Sequence, residues 1–308
     1  MKISDYVLTV ANDKFIDKST KKDISNVMKK YSMAKYGSMK DIIFFANIIV
    51  DSIYCKIDDL ESDFRKNLEI ARDCNDYIVL MTPGYKNVKS SANIMFEIAL
   101  PYINTKLALL GFPIIAQMKL PRLATPCENY ASLTNEERIE VGLTTDHILP
   151  DKSFYENNNI HVIYGDDILI TGASSNKAKK DILLKGAKSF TSIYSIVVDE
   201  NIALKNPAIE EEINRVKVTG KLDSSAQEIF EQKDFIPVLR SLRLLLVESN
   251  KEDIEQFLKN IPDENILKVY ISFITNESLN NKKYINSFDV IKKYLINNYL
   301  IKDDGNLI

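Results

Sequence analysis

The stretch Val162-Ile-Tyr-Gly-Asp-Asp-Ile-Leu-Ile-Thr-Gly-Ala-Ser174 combines an apolar run, two adjacent carboxylates and a turn of small residues. Such an apolar run is typical of a buried parallel strand, and we expect Asp166 and Asp167 where it ends. Carboxylates there can accept hydrogen bonds from vicinal hydroxyls or hold Mg²⁺. The turn and the helix after it would present free N–H groups to a phosphate. Ribose 5-phosphate carries a diol and a phosphate close together, so the pattern predicts a sugar-phosphate site.

This segment resembles the PRPP-binding loop of the type I phosphoribosyltransferases. In that loop an acidic pair follows an apolar strand and precedes two aliphatic residues and Thr-Gly-x-Thr/Ser. The matching positions are Asp166, Asp167, Ile168, Leu169, Thr171, Gly172 and Ser174. Tyr164 and Gly165 depart from the pattern, since small or aliphatic strand residues are usual there, and so does Ile170, where a small or acidic residue is common. The resemblance covers about residues 75–200.

The resemblance implies a Mg²⁺-dependent enzyme that transfers ribose 5-phosphate from PRPP to a nucleobase or related acceptor and releases pyrophosphate. Asp166 and Asp167 would be the catalytic acids, binding the ribose hydroxyls and holding Mg²⁺ directly or through water. The ribose 5'-phosphate site would be completed by Ile170, Thr171, Gly172, Ala173 and Ser174. The alternative interpretation is structural, because Asp and Ser are also good helix caps.

The same resemblance implies a pyrophosphate-binding loop after the first core strand. In this chain that loop contains Pro83, Gly84, Tyr85 and Lys86. A mobile lid is expected after the next strand, and its candidates for pyrophosphate contacts on closure are Lys119 and Arg122, with Arg138 third. The alternatives are an ordinary Pro-Gly turn with solvated lysines and a solvated insertion.

Recognition of the base is implied for residues after the strand that ends at Val198. Asp199 and Asn201 stand there and could hydrogen-bond a base edge, although an acidic strand end is equally common as plain surface. His161 directly precedes the buried strand and is interpreted as structural. The sequence suggests no Ser-His-Asp or Cys-His arrangement.

The composition is that of an ordinary globular protein, with 308 residues, 45% hydrophobic and 27% charged, and a formal net charge of −3. This charge argues against nucleic acid or an anionic membrane as the chief partner. Cys55, Cys74 and Cys127 lack CxxC spacing, which indicates free thiols in a reducing compartment. The longest apolar run, residues 42–50, is too short to span a bilayer, so a cytoplasmic location is expected.

Periodicity divides the chain into three predicted parts. Residues 1–74 read as helical, and the resemblance makes them a candidate hood. In residues 75–200, short apolar runs alternate with helical patterns, which predicts a doubly wound, mainly parallel α/β sheet. The resemblance implies that this sheet is of the type I phosphoribosyltransferase kind. Residues 201–308 read as helical again. The ligand of such a sheet lies outside the carboxyl ends of its strands, where the acidic pair is expected.

Two other functions are compatible with the sequence. Some proteins with this fold bind PRPP or a nucleotide as a signal and do no chemistry, and the atypical flanks and helical additions fit such a regulatory role. A conflict or stress effector with the same fold is the third hypothesis, based on a loose resemblance of Thr134-Asn-Glu-Glu-Arg138 and the divergent flanks. Family members are usually dimers, so the resemblance also implies a homodimer.

Overall fold

The computed structural model describes residues 1–11, 14–121, 149–206, 208–276 and 282–308, without the side chains of Ala173, Ser174, Lys282 and Lys283. The predictions for Arg122, Cys127 and residues 134–138, Arg138 included, fall outside these residues. The described residues form an α/β fold with a six-stranded sheet, and the predicted α/β class with a mainly parallel sheet is confirmed. Among the described helices, none is both long enough and apolar enough to cross a membrane.

Helices and strands alternate through most of the first two thirds of the chain, and helices follow to its end. In chain order the elements are β1 (Lys2–Ala11), β2 (Lys14–Asp17), α1 (Ser25–Lys35), α2 (Met39–Asp58), α3 (Asp63–Cys74), β3 (Tyr77–Met81), α4 (Ser91–Leu109), β4 (Ile115–Met118), α5 (Lys152–Asn157), β5 (Ile160–Leu169), α6 (Ala173–Leu184), β6 (Ser189–Val198), α7 (Glu200–Lys205), α8 (Ile209–Asn214), α9 (Ser224–Phe230), α10 (Leu239–Leu246), α11 (Lys251–Leu258), α12 (Asp263–Thr275) and α13 (Lys282–Asn297).

The chain forms two compact units that are discontinuous in sequence. The first unit contains Met1–Asn26, Ile43–Tyr85 and Ala92–Glu212. The second unit contains Val27–Ile42, Lys86–Ser91 and Ile213–Ile308. The sheet and its carboxyl-end turns belong to the first unit, except that residues 86–91, which follow β3, belong to the second.

The six described strands have the order β2-β1-β6-β5-β3-β4, in which β1 and β2 pair antiparallel and all other neighbours pair in parallel. β3 and β5 are neighbours, yet the chain continues from β3 to β4 on one side and from β5 to β6 on the other. Two such strands define a topological switch point, where an open α/β sheet leaves a crevice outside its carboxyl ends. The switch point of the first unit therefore lies at the carboxyl ends of β3 and β5.

The amino-terminal prediction was wrong, because residues 1–74 are not all helical. β1 pairs with β6 in parallel, from Lys2 opposite Ser192 to Leu8 opposite Val198, and β2 folds back on β1. Only two side chains of β1, Ile3 and Leu8, are fully buried. They are five positions apart, so the strand lacks the strict alternation that would have predicted it.

Helices cover both faces of the sheet. On one face, Tyr164 of β5 packs in the same apolar cluster as Tyr155 of α5 and Ile182 of α6. On the other face, α4 lies so close to Gly165 that a Cβ there would sit 2.5 Å from the ring of Phe96. Successive residues of a strand point to opposite faces, so these two contacts identify the face that each later residue of β5 presents.

The second unit is built around a helical core rich in aromatic rings. The ring centroids of Phe230 and Phe235 are 4.6 Å apart, and those of Phe273 and Phe288 are 4.8 Å apart. Val88, from the short segment after β3, is buried in the same core. The predicted helical character of residues 201–308 is confirmed, but the predicted boundary at 200 differs from the division of the chain into units.

The predicted core strands are confirmed, β3 with its predicted ends and the others with changed ends. The run from Tyr77 to Met81 is β3, and the runs near 113–118 and 192–198 are β4 and β6. The acidic stretch is part of β5, which is longer at both ends than predicted. Within the described residues, Cys55 and Cys74 are free and exposed thiols, as expected.

Candidate functional site

The two acids lie inside β5 and not after it. The pairing of β5 with β3 ends where Met81 meets Tyr164, whereas its pairing with β6 continues until Leu169 meets Val197. β5 therefore extends beyond β3, and the acids are on this extension, beside the loop that follows β3. Ile168 and Leu169, which follow the acids, extend the strand, because both are paired with apolar residues of β6. The expectation of a strand that stops at the acids is thus corrected.

Because they are adjacent in a strand, the two carboxylates point to opposite faces of the sheet. Asp167 shares its face with Gly165, on the side that α4 covers, and is only 2% exposed. Asp166 is half-buried on the other face, and its Oδ1 accepts a hydrogen bond of 2.9 Å from the main-chain N–H of Asp167. The two acids therefore do not face one ligand diol together, and Asp166 is the one on the α6 side.

The turn after β5 ends in a glycine at the start of α6. Ile170 is buried, and Gly172 occupies the N-cap position of α6 in the left-handed conformation, with φ 75° and ψ 5°. An L side chain adopts this conformation at a cost that glycine avoids. No side chain caps the helix among those described, so the N–H groups of its first turn point outward from the helix end. The helix has 12 residues, and its dipole favours negative charge at this end.

The turn after β3 is held by Asn93, a residue that the sequence did not identify as part of the site. The Nδ2 of Asn93, in the first turn of α4, donates to Thr82 Oγ1 at 2.8 Å and to the carbonyl oxygen of Pro83 at 3.0 Å. Asn93 and Thr82 are both buried, as is Gly84 next to them. An asparagine in the first turn of a helix that follows a Pro-Gly turn is the signal that could have identified it.

Two of the predicted pyrophosphate residues are brought together. The N–H of Tyr85 donates to the carbonyl oxygen of Leu120 at 3.2 Å, which joins the loop after β3 to the segment after β4. The Nζ of Lys119 lies 4.5 Å from the centroid of the Tyr85 ring. A cation at this distance is attracted by the ring quadrupole, so Tyr85 holds the ammonium group near the turn. Lys86 belongs to the second unit.

Asp199 and Asn201 have local structural roles. Asp199 caps α7 by accepting the N–H of Asn201 at 3.0 Å, and its other oxygen pairs with the ammonium group of Lys18. The hydrogen bond from Lys18 lowers the pKa of the Asp199 carboxyl despite its burial. The side chain of Asn201 is exposed. Recognition of a base by these two residues stays a prediction.

The amino ends of the strands carry a Ser-His-Asp arrangement that the sequence did not suggest. His161 Nδ1 lies 2.9 Å from the Oγ of Ser189, and its Nε2 lies 3.2 Å from Oδ2 of Asp76. His161 and Asp76 are both buried. The three residues stand at the starts of β5 and β6 and just before β3, so the hydrogen bonds join three adjacent strands.

This arrangement supports the structural interpretation of His161. Acyl transfer at a serine needs N–H donors beside it to bind the oxyanion. The N–H groups of the three residues before Ser189 all donate to main-chain carbonyl oxygens. The arrangement also lies at the end of the strands away from the switch point. We therefore assign it to stability.

Within the part of the chain that the structure describes, no group of three or more His, Cys, Asp or Glu side chains could hold a metal ion. A divalent ion at the switch point would therefore need ligands from a bound substrate as well as from the protein. No protein-family model, curated protein or solved structure matches the chain. The function must be inferred from the geometry of the site.

Proposed function

We propose that the protein binds PRPP and Mg²⁺ at the carboxyl ends of β3 and β5 and transfers ribose 5-phosphate to a nucleobase or related acceptor. The observation that supports this proposal is the start of α6, which has no side-chain cap among those described and follows directly on a strand carrying Asp166. The position is a topological switch point, where ligands of open α/β sheets bind.

The 5'-phosphate would bind at the turn after β5. Its oxygens would accept hydrogen bonds from the N–H groups of the first turn of α6, and the helix dipole would favour its charge. Gly172 gives the turn its left-handed bend and leaves no side chain at the helix end. The N-cap residue is Gly172 and not an Asp or Ser, which favours a phosphate site over the alternative of a side-chain cap.

The ribose would lie between that turn and Asp166. Displacement breaks the bond from the anomeric carbon to pyrophosphate, whose oxygen keeps the electron pair, while a lone pair of the acceptor nitrogen forms the new bond and an acceptor proton is lost. Positive charge develops on the ribose during this exchange, and a fixed carboxylate stabilises it. Asp166 would do this, and the N–H of Asp167 would orient it through the 2.9 Å hydrogen bond.

The pyrophosphate end would lie at the turn after β3. Lys119, held over the Tyr85 ring, would neutralise part of its charge, and the turn that Asn93 fixes would present main-chain groups to it. Mg²⁺ is usually bound by one or two carboxylates together with substrate phosphates. Asp166 supplies one carboxylate, so the residues present fit an ion that arrives with the diphosphate. Such an ion neutralises charge on the leaving group.

The proposal is tested by the replacement Asp166→Asn. We expect pyrophosphate release from PRPP and Mg²⁺, assayed with a panel of nucleobases, to fall on the order of a hundred-fold in this variant. The matched control is Asp181→Asn, which removes a carboxylate from α6 near its far end and should leave the rate unchanged. Pyrophosphate release by Asp166→Asn at the wild-type rate would contradict the proposed role of Asp166.

A non-catalytic receptor for PRPP or a nucleotide is the second candidate function. It is favoured by the burial of Asp167 on the α4 side, since only one of the two acids is then turned towards α6. Calorimetric titration with PRPP and Mg²⁺ separates the two candidates. Binding without pyrophosphate release for every base offered supports the receptor, and the absence of any binding contradicts both.

A further inference from the structure

The peptide bond between Pro83 and Gly84 is held in one orientation by Asn93. The amide nitrogen of Asn93 has two protons to donate, and it donates to Thr82 Oγ1 at 2.8 Å and to the carbonyl oxygen of Pro83 at 3.0 Å. Asn93 is 1% exposed and Thr82 is 2% exposed, so water does not compete for these hydrogen bonds. The carbonyl group of Pro83 therefore points towards α4, the helix that carries Asn93.

This orientation also fixes the direction of the next N–H group. The described residues contain no cis peptide bond. In a planar trans peptide the C=O and N–H groups point in opposite directions, so the N–H of Gly84 points away from α4. Asp166 likewise lies on the face of the sheet that α4 does not cover, because it is adjacent to Gly165 in β5.

The N–H of Gly84 is a donor without an acceptor. Gly84 is buried, and its N–H forms no hydrogen bond with any residue that the structure describes. Pro83 has no N–H, and the N–H of Tyr85 donates to the carbonyl oxygen of Leu120. In residues 83–85, the N–H of Gly84 is thus the main-chain donor that is left for a ligand. Buried N–H groups of folded proteins are almost always paired, so this one indicates a ligand oxygen.

We propose that Asn93 is a positioning residue that directs the N–H of Gly84 to an oxygen of the diphosphate. This inference rests on the proposed function of the turn. The ammonium group of Lys119 is held beside the same turn, 4.5 Å from the centroid of the Tyr85 ring, which suits an anionic ligand. A donor that is already fixed needs no reorganisation when the anion binds, and hydrogen bonds to charged oxygens are the stronger ones.

Asn93→Asp keeps the size of the side chain but replaces its donor by an oxygen that only accepts. We expect the dissociation constant of pyrophosphate with Mg²⁺, measured by calorimetry, to rise about ten-fold, as for the loss of one hydrogen bond to a charged group. The dissociation constant of ribose 5-phosphate should not change, because its phosphate binds at the turn after β5. Asn93→Ala adds no charge and should show the same selective loss.

The matched control is Asn104→Asp. Asn104 is on the same helix, and its Nδ2 donates to the carbonyl oxygen of Ile115 at 2.9 Å, at the amino end of β4. The control therefore removes a comparable hydrogen bond far from the turn, and both dissociation constants should keep their wild-type values. An equal loss of pyrophosphate affinity in Asn104→Asp would show general destabilisation and count against the inference.

A direct measurement on the wild-type protein does not depend on the folding of the Asn93 variants. The chain contains 9 glycines, so a protein labelled with ¹⁵N-glycine gives a small set of amide NMR signals. Gly84→Ala identifies the signal of Gly84 by its loss. Addition of pyrophosphate and Mg²⁺ should shift this signal and slow its hydrogen exchange, because the N–H acquires an acceptor.

The outcomes separate this inference from the proposal on which it rests. Wild-type protein that binds neither PRPP nor pyrophosphate in the presence of Mg²⁺ would refute the proposed function, and the inference with it. Wild-type protein that binds PRPP, together with an unchanged Gly84 signal in bound pyrophosphate or equal pyrophosphate affinity in Asn93→Asp, would refute the inference alone.

Discussion

Gly165 lacks a side chain because α4 occupies the space where one would lie. A Cβ at this position would meet three atoms of the Phe96 ring at 2.5 to 2.7 Å. Glycine weakens a strand interior by roughly 0.5–1 kcal/mol relative to alanine, so close approach of another element is the usual reason for it. The departure of Gly165 from the aliphatic pattern therefore reflects the packing of α4 beside the acidic residues.

We predict that Gly165→Ala lowers the free energy of unfolding by about 1–3 kcal/mol, because the methyl group overpacks the interface with α4. Urea denaturation measures the loss. The double variant Gly165→Ala/Phe96→Leu tests the cause, since a smaller side chain at 96 makes room for the methyl group. Its loss of stability should be smaller than the sum of the two single losses. If the loss of the double variant equals the sum of the two single losses, the contact with Phe96 does not cause the destabilisation.

The site could be predicted only in part, because the sequence does not show to which face of the sheet the side chain of Asp167 points. The turn from Ile170 to Ser174 was placed correctly after the strand, because Thr-Gly and the small residues carry a local signal. Whether β5 stops before or after its acids depends on pairing with β6, which the acidic stretch does not encode. That pairing decides that Asp167 is buried on the α4 side. Asn93 was missed although its signal is local, an asparagine in the first turn of the helix that follows the Pro-Gly turn.

The strand β3, a continuous apolar run, was predictable, whereas the strand β1, with mixed burial, was not. β3 was found at its observed bounds because four of its five residues are buried. β1 was missed because its buried positions are few and irregularly spaced. α11 begins after Asn250, whose side chain accepts the N–H of Asp253 at 2.8 Å and so caps the helix.

The cap of α9 makes one element sensitive to acid. Asp223 Oδ1 accepts the N–H groups of Ser225 at 2.9 Å and Ala226 at 3.3 Å, and Oδ2 accepts from Thr219 Oγ1 at 2.7 Å. Burial acts to raise the pKa of Asp223, but the hydrogen bonds from Ser225, Thr219 and Ala226 together lower it below its ordinary value of 3.8. A carboxyl group with a lowered folded-state pKa stabilises the fold above its unfolded-state pKa, and this contribution is lost as pH falls through the folded-state pKa.

We predict that the stability difference between wild type and Asp223→Asn is complete at neutral pH and shrinks as pH falls below 3.8. Asparagine is itself a good N-cap, so the variant keeps an acceptor for the helix and removes only the charge. Denaturant unfolding of both proteins at a series of pH values measures the difference in the free energy of unfolding. The contributions of the other acidic residues cancel, because both proteins contain them. A difference that does not change with pH would contradict this interpretation of the cap.

At the scale of the whole molecule, the second unit is not a continuous piece of chain. Most of it is Ile213–Ile308, but Val27–Ile42 and Lys86–Ser91 belong to it as well. These two short segments supply buried core residues, among them Met33, Tyr36 and Val88. The segment after β3 is also fastened by Asn276, whose Oδ1 accepts the N–H of Val88 at 3.2 Å. Hydrophobic periodicity is local, so it could identify these helices but not their assembly from three segments.

We predict that a fragment of residues 213–308 does not fold as a cooperative unit, because its core lacks the side chains that the two short segments contribute. Circular dichroism should show reduced helix content, a fluorescent apolar dye should bind its exposed core, and thermal unfolding should be broad. The control is residues 27–308, which contain all three segments of the second unit and should keep a sharp transition for it. Cooperative unfolding of the 213–308 fragment, without dye binding, would show that the carboxyl-terminal helices are an autonomous domain, as the boundary predicted from the sequence near residue 200 implied.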